Sequence, residues 1–426
     1  MNAEPDQMEP ALTESGELRH TELAIVGGGL VGLTLGIACA GAGLRVTVID
    51  REPPARQMSE VFDGRASAIA FGSQRVLAAI GVWAHLGEAA QPIREIRVAD
   101  GSANLFVHYD YRALRRGPDS GSGDPLGYLV ENRVLRHALL ARAGELPSLT
   151  HLAPMSVTGI ERVASGATVR LADGNRLAAR LVAAADGSAS PLRVGASIKT
   201  VNWSYNQTGI VTTVHHARPH RGVAVEHFLP AGPFAILPLT GNRSSIVWTE
   251  RADLAPQMMA LPEADFALEL HRRFGDFLGS VEPVGPRFSY PLVFQHALRY
   301  TAHRLALIGD AAHVIHPIAG QGFNLGLRDV AALAEIVVDA RRLGLDIGDG
   351  AVLARYARRR VLDNWMLGAV TDSLNRLFSN SIPPIRLARD LGLGMVNRIP
   401  PVKRLLMRHA MGVVGDLPRL VRGEPL

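Results

Sequence analysis

Cysteine is almost absent: Cys39 is the only one in 426 residues. A single thiol excludes a disulfide framework, a CxxC redox pair and a thiolate metal cluster, and it rules out the disulfide reductases. It also makes a reducing, intracellular compartment the default. A basic N-terminal segment is missing as well. Glu4, Asp6, Glu9, Glu14 and Glu17 precede the first apolar run, which disfavours a signal peptide. No zinc-finger or RNP pattern occurs, and 45 Lys and Arg against 40 Asp and Glu leave a net charge of only +5. A nucleic-acid partner is therefore not expected. Internal repeats are lacking. The uncharged stretch from Leu23 to Leu44 is long enough to span a membrane, but seven of its residues are glycine, three of them in a row. It divides into strand, turn and helix instead.

What remains is a chain with 47% hydrophobic and 20% charged residues, enough for a large core and a length suited to two or three domains. Glycine is frequent, at 43 residues. The spacing predicts a strand over Leu23 to Val26, a small-residue helix over Leu30 to Ala42 and a second strand over Arg45 to Ile49, a complete βαβ start. Farther on, "SVTGIERV", "ATVRLA" and "RLAARLVAAAD" read as a three-stranded meander with turns at Ala164-Ser165-Gly166 and Asp173-Gly174-Asn175. Residues 200–290 read as β-rich. "RLALIGD" reads as another buried strand, followed by a helix from about Gly322 to Arg342 and a helical, basic remainder.

Gly27-Gly28-Gly29-Leu30-Val31-Gly32 fits GxGxxG between the first strand and its helix. Gly27 permits the tight turn, Gly29 lets a pyrophosphate approach the backbone, and Gly32 lets helix and strand pack closely. Asp50 ends the second strand where a carboxylate binds a ribose hydroxyl. This pattern alone does not separate NAD from FAD. Two further stretches do. Gly309-Asp310 precedes His316-Pro317-Ile318-Ala319-Gly320-Gln321-Gly322-Phe323-Asn324, and Asp186-Gly187 ends "RLVAAAD" with Ser190 and Arg193 behind it.

With these residues the chain resembles the FAD-dependent aromatic hydroxylases of para-hydroxybenzoate-hydroxylase-like fold, and among them the ubiquinone-biosynthesis ring hydroxylases. The long features that carry this are "HPIAGQGFNLGLRD" (His316 to Asp329), "TDSLNRLFSN" (Thr371 to Asn380) and "FLPAGPFAILPL". The resemblance implies an α/β (α+β) fold: a Rossmann-like FAD-binding domain, a β-sheet substrate domain and a helical C-terminal extension. The expected partition is a disordered leader over 1–20, an FAD domain over 21–95, 136–195 and 290–345, a substrate domain over 96–135 and 196–289, and the basic extension over 346–426.

It further implies noncovalent FAD held by Gly27, Gly29, Gly32, Asp50, Asp186, Gly187, Gly309 and Asp310, with Arg65 and Arg133 along the phosphates and ribityl chain. Pro317, Gly320, Gln321 and Gly322 would face the flavin ring, aiming helix N–H groups at the charge of its reduced form, with Asn324 at the pyrimidine edge. NADH or NADPH would reduce FAD, binding transiently, since no second GxGxxG exists. Oxygen would add as a C4a-hydroperoxide and be transferred to the ring of a polyprenylated phenol on the way to ubiquinone. No protein acid or base is assigned. A cytoplasmic enzyme must reach such a lipid. The segment from Arg386 to Arg422, with eight basic residues against Asp390 and Asp416, is the expected contact with the inner face of the membrane or with other ubiquinone-biosynthesis proteins. An isoprenoid reductase sharing the FAD motifs, or a flavin-bound accessory subunit, are the alternatives. A halogenase would carry Trp-x-Trp-x-Ile-Pro, and none of the four tryptophans is so placed.

Other features read as structure. His313 with His316, and His215, His216 and His220, lack a carboxylate that completes a metal set. "VHHARPHRG" reads as an exposed strand end, His316 as orienting the glycine loop, Arg355 with Arg358-Arg359-Arg360 as a solvated helix face, and the tryptophans as core.

Overall fold

Fully buried four-residue apolar runs make the frame. The computed structural model describes residues 17–53, 65–100, 106–114, 124–379, 407–408 and 411–426. Strand β1 (Leu23–Val26) enters helix α1 (Leu30–Gly41), which returns the chain to strand β2 (Val46–Ile49). Strand β3 (Leu181–Ala184) lies beside β1 in the same direction. With Leu149–Leu152, Leu305–Leu307 and the edge strand Thr301–Ala302 these form a six-stranded sheet, parallel except at that edge. All twelve residues of β1, β2 and β3 are buried, which is why they read as apolar on both faces, with Thr47 the one polar residue, rather than alternating.

The meander needs a correction. "RLAARLVAAAD" is two strands, not one. Arg176–Ala179 pairs with Gly166–Leu171 in a four-stranded sheet, and the chain breaks at exposed Arg180 before β3 enters the parallel sheet. The burial pattern shows the cause: alternate residues are buried in the first half, every residue in the second. The leader is shorter than expected. Leu18–His20 pairs in parallel with Arg176–Ala178, while residues 1–16 lie outside the described residues.

An eight-stranded sheet makes the second layer. Its order is His313–Val314, Val281–Ala297, β4 (Thr200–His216), Arg243–Arg251, Gly232–Leu239, Val223–Leu229, Glu95–Asp100 and Phe106–Asp110. It is antiparallel apart from Val223–Leu229 beside Glu95–Asp100. The strand Val281–Ala297 runs unbroken across residue 290 and pairs with His313–Val314, so this sheet reaches the start of the glycine loop. The β-rich stretch also contains a helix, Glu263–Phe274. Its Phe266, Leu270 and Phe274, four apart, bury one face against Ile210, Ile246 and Trp248.

Two long helices follow, α2 (Gln321–Arg342) and α3 (Gly350–Phe378). Helix α2 packs on α1, and α3 packs on α2. Among the described residues no helix is long and apolar enough to cross a membrane. Most of the basic tail, including Lys403 and Arg404, lies outside the described residues. At its described end Arg419 is ion-paired with Glu335 and Asp339 of α2, and Arg422 with Glu424. Part of the tail's positive charge is thus neutralised within the fold.

Candidate active site

Three turns at the ends of parallel strands converge here. After β1, Gly27 adopts φ +105°, and a Cβ there would stand 2.2 Å from the Ala185 carbonyl oxygen. At Gly32 a Cβ would stand 1.9 Å from the Gly27 carbonyl oxygen, so helix and turn touch. Gly29 is different: a side chain there would meet nothing within 4 Å. Gly29 caps α1 with no side-chain acceptor, and no acid occupies the first turn. The orphan N–H groups and the positive end of the helix dipole therefore face open space that suits an anion. Asp50 follows β2, and its carboxylate lies against Gly28, where a Cβ would be 2.6 Å from Oδ2.

The second turn follows β3. Asp186 accepts from the Leu192 N–H (3.3 Å) through Oδ2, while its Oδ1 is buried with no hydrogen-bond partner. Burial pushes its carboxyl above the usual range, against hydrogen bonds from Ser190 and Leu192. Gly187 opens beside it. Buried Arg193 donates to the carbonyls of Ser188 (2.7 Å) and Ala311 (2.9 Å) and so ties this turn to the third one. There, Asp310 is open to solvent, yet surrounding atoms push its carboxyl upward by desolvation. An acid both crowded and accessible lies in a concave site.

The third turn is held from behind by a charge network that the sequence reading missed. Fully buried Asp329 of α2 accepts through Oδ2 from the Gly309 N–H (3.1 Å) and from His313 Nε2 (2.6 Å). Through Oδ1 it accepts from Arg360 Nε (2.8 Å) and Asn364 Nδ2 (3.1 Å). The chain of bonds continues through Tyr300 to His296, each step 3.0 Å. Burial alone would keep Asp329 protonated, but His313 and Arg360 outweigh it and hold the carboxyl far below the carboxylate range. This corrects the reading of Arg358-Arg359-Arg360 as a solvated face. Arg360 is buried at 5% exposure and Arg359 pairs with Glu335 and Asp416, which leaves Arg358 as the exposed member. The missed signal is a polar stripe, Arg360, Asn364, Thr371 and Asn375, at helical spacing among buried residues of α3.

The glycine loop closes the site. Pro317 and Gly320 bracket a short 3₁₀ turn, with the Gly320 N–H donating to the Pro317 carbonyl (2.9 Å). Gly320 takes φ +61°, and a Cβ would be 2.8 Å from the Ala68 Cβ. It caps α2, again with no side-chain acceptor and no acid in the first turn, and Gln321 follows as a buried residue. At Gly322 a Cβ would meet nothing within 4 Å. Asn324 needs correction. Its Nδ2 donates to the carbonyls of Ala68 (2.8 Å) and Gly320 (3.1 Å), and its Oδ1 accepts from the Ala70 N–H (2.8 Å). It leaves no amide N–H for a cofactor and instead laces the loop to the strand Ala66–Ala70.

Of the two arginines, exposed Arg65 opens that strand with its guanidinium 6.0 Å from the Tyr290 ring centre. Arg133 donates to buried Glu131 (2.9 Å), which also holds Arg243 (2.7 Å). Ile315 and Ile318 plug into two apolar clusters beyond the loop, one with Phe294 and Trp203, the other with Phe228 and Phe378. "VHHARPHRG" is not simply exposed: His216 bonds the Arg218 carbonyl and Ser244, and His220 the Leu239 carbonyl, both rings buried.

The residues present fit FAD. Two uncapped helix N-termini face open glycines, an acid stands at the end of β2, and Asp186 carries a buried oxygen with no partner. Known proteins agree. The p-nitrophenol 4-monooxygenase PnpA of Pseudomonas putida shares the fold at a TM-score of 0.78 and 21% identity, over 94% of this chain and 99% of that one. The fold is that of the FAD-dependent monooxygenases. Residues 20–362 match the family model for the FAD binding domain. The chain is 56% identical to the ubiquinone hydroxylase UbiL of Rhodospirillum rubrum, over 95% of this chain and 93% of the relative. It is 36% identical to the 3-demethoxyubiquinol 3-hydroxylase of Escherichia coli over 92% and 99%, and 33% identical to the mitochondrial ubiquinone biosynthesis monooxygenase COQ6 of Xenopus tropicalis over 94% and 95%. It belongs to the FAD-dependent aromatic hydroxylase family, in the group that includes the ubiquinone hydroxylases.

Proposed function

We propose that this chain is an FAD-dependent monooxygenase that hydroxylates the aromatic ring of a polyprenylated phenol precursor of ubiquinone, with NAD(P)H and O₂ as co-substrates. The observation that carries the reading is identity of 56% with a ubiquinone hydroxylase across nearly the whole of both chains. Bound FAD supplies the acceptance of electrons from NAD(P)H and the activation of O₂. The rest is the protein's contribution. Gly27, Gly29, Gly32 and the start of α1 would hold the pyrophosphate, and Asp50 the ribose. Asp186-Gly187 and Gly309-Asp310 would line the sugar and ribityl region, with Arg65 and Arg133 alongside. Pro317 to Gly322 would lie at the ring, where the uncapped start of α2 stabilises negative charge. Ile315 and Ile318 anchor the loop in two apolar clusters, one with Phe294 and one with Phe228 and Phe378, which would help to keep water from the reacting centre and suit a prenylated ring.

NAD(P)H oxidation is to be measured with a short-chain prenylated phenol, under ¹⁸O₂ and under argon. Incorporation of one labelled oxygen into the ring supports the reading. Anaerobic reduction of a prenyl double bond points to a reductase. Absence of turnover by the FAD-loaded protein points to an accessory role. Which ring carbon is attacked is open to the same product analysis. The polyprenyl chain also motivates peripheral contact with an anionic membrane surface through Lys403, Arg404 and Arg408. Salt-sensitive vesicle co-sedimentation that is lost on reversing these three charges would support it, and equal binding by both proteins would remove it.

A further inference from the structure

Three long sequence features meet at one side chain that none of them contains. Gln207 lies in β4 just after an irregularity in its pairing with Val281–Ala297, where Asn206 takes φ +54° and the register shifts between Ser204 and Gln207. Such a bulge re-aims the side chain that follows it. Gln207 is buried at 7% exposure. Its Nε2 donates to the Ala231 carbonyl (2.8 Å), in the turn of "FLPAGPFAILPL", and to Ser379 Oγ (3.3 Å). Its Oε1 meets Asn375 Nδ2 (3.0 Å), from "TDSLNRLFSN", and His316 Nε2 (3.3 Å), from "HPIAGQGFNLGLRD". Ser379 in turn donates to Asn375 Oδ1 (3.0 Å).

A carbonyl oxygen only accepts, so the Ala231 contact fixes which end of the Gln207 amide carries hydrogen. Both amide hydrogens and both oxygen acceptor sites are then occupied. The oxygen faces His316, so Nε2 of that ring must be the protonated nitrogen. Nδ1 is left with a lone pair. The ring is fully buried, and Nδ1 has no hydrogen-bond partner among the described residues. The turn at Gly232 fits the same design: φ is +138°, and a Cβ would stand 2.4 Å from the Thr249 side chain and 2.9 Å from Gln207 Nε2. Only glycine lets that backbone approach the amide.

We propose that Gln207 is a positioning residue of the active site: with Asn375 it locks His316 in the Nε2–H tautomer and so reserves Nδ1 as an acceptor for a hydrogen-bond donor of a bound ligand. The donor is a ring hydroxyl of the substrate or an N–H of the flavin. The ligand part rests on the hydroxylase reading; the tautomer does not. The groups facing His316 are Tyr205 of β4, edge-on at 5.0 Å, and Asp372 of α3, whose carboxylate also holds Arg376. Burial keeps the ring neutral, with its pKa at about 4.

The experiment is ¹⁵N NMR of histidine-labelled protein, with the His316 signals assigned by their loss in His316→Asn. The expected result at pH 7 is a neutral ring protonated at Nε2; an Nδ1–H ring or an imidazolium would overturn the proposal. Gln207→Glu replaces the locking amide with an anion beside Nε2. It should raise the His316 pKa by about 1–2 units and make the pH profile of kcat bend between pH 5 and 7. Asn375→Ala, which keeps Gln207, should leave both tautomers in exchange if Gln207→Glu does not fold. An unaltered pH profile in Gln207→Glu, or an unaltered tautomer in Asn375→Ala, would sink the role. Spectra with FAD alone and with FAD plus a prenylated phenol identify the donor by which addition shifts Nδ1; a shift with neither removes the ligand part. A protein with the locked tautomer but no hydroxylation would refute the function while leaving the lock intact.

Discussion

The two glycine-capped helix starts present the same uncapped backbone N–H groups but are built in opposite ways. The turn before α1 is closed by chain neighbours: Gly27 against Gly32, with Asp50 arriving from the adjacent strand. The loop before α2 is closed by residues far away in sequence: Ala68 and Ala70 through Asn324, and Gln207 through His316. A local site is written in a contiguous motif. A site assembled by tertiary contacts is held by buried polar groups whose partners fix their orientation, and losing one partner leaves the other unsatisfied.

The largest effect is expected behind the third turn. Asp329→Ala leaves Arg360 buried without its main counter-ion, a change that costs about 3–5 kcal/mol when a buried pair is broken. Thermal denaturation checks it, with Arg358→Ala as the exposed control, expected within about 0.5 kcal/mol of the parent. A small loss at Asp329 would mean that the network does not bear on stability.

This is also where the sequence was least legible. β1, α1 and β2 follow from apolar runs and a glycine turn lying side by side, and their bounds come out within a residue or so. Asp329 and Arg360 are 31 positions apart on different helices, and an arginine in a run of three reads as surface until its partner is known. Arg180 misled for a related reason. "RLAARLVAAAD" has one hydrophobic texture, but its halves join different sheets, and only the change from alternating to complete burial separates them. The amide of Asn324 is committed to Ala68, Ala70 and Gly320, which the sequence did not show, because a side chain's hydrogen bonds depend on strands that spacing does not bring near.

At the phosphate side, Gly29→Asp should keep the fold, since its Cβ meets open space, while placing a negative charge before the N-terminus of α1. The expected loss of FAD affinity is on the order of 100-fold, about 2.7 kcal/mol. Gly32→Ala is the converse: a methyl 1.9 Å from the Gly27 carbonyl should lower stability by about 1–3 kcal/mol through overpacking. Flavin titration alongside thermal melts separates the two. A yellow, flavin-loaded Gly29→Asp protein would displace the pyrophosphate from this turn.

Acid should weaken the ring-side region next. Burial holds the pKa of His316 at about 4, and burial with nearby His313 does the same for His296. In the unfolded chain both sit near ~6.5. The unfolded state therefore takes up protons first as pH falls, and stability drops between about pH 6.5 and 4 by roughly 1.4 kcal/mol per pH unit for each ring. Asp329 acts lower down. Its depressed carboxyl contributes stability that is fully present above about pH 4 and lost only below it. Urea melts from pH 7 to 4.5 should show a histidine slope, to which His151, His216 and His227, also lowered by burial, contribute, and which is smaller in His296→Asn. A flat profile over that range would mean that these rings are protonated in the fold.

The smallest effect on stability, and the sharpest on chemistry, is expected at Gly322. Gly320 cannot accept a side chain without moving Ala68, but a Cβ at Gly322, two positions on in the first turn of α2, meets nothing within 4 Å. Valine has a slightly higher helix propensity than glycine, so Gly322→Val should hold the melting free energy within about 0.5 kcal/mol of the parent. The same branched side chain would stand at the start of α2, where the flavin ring is proposed to lie against uncapped backbone N–H groups. If those groups stabilise the reduced flavin, separating ring and helix weakens a charge–dipole interaction that falls off within the first turn. The midpoint potential should then become more negative while FAD stays bound through the intact α1 turn. An unchanged potential in a folded, FAD-loaded variant would make the second glycine start a structural cap, and the likeness between the two helix starts would end at their backbones.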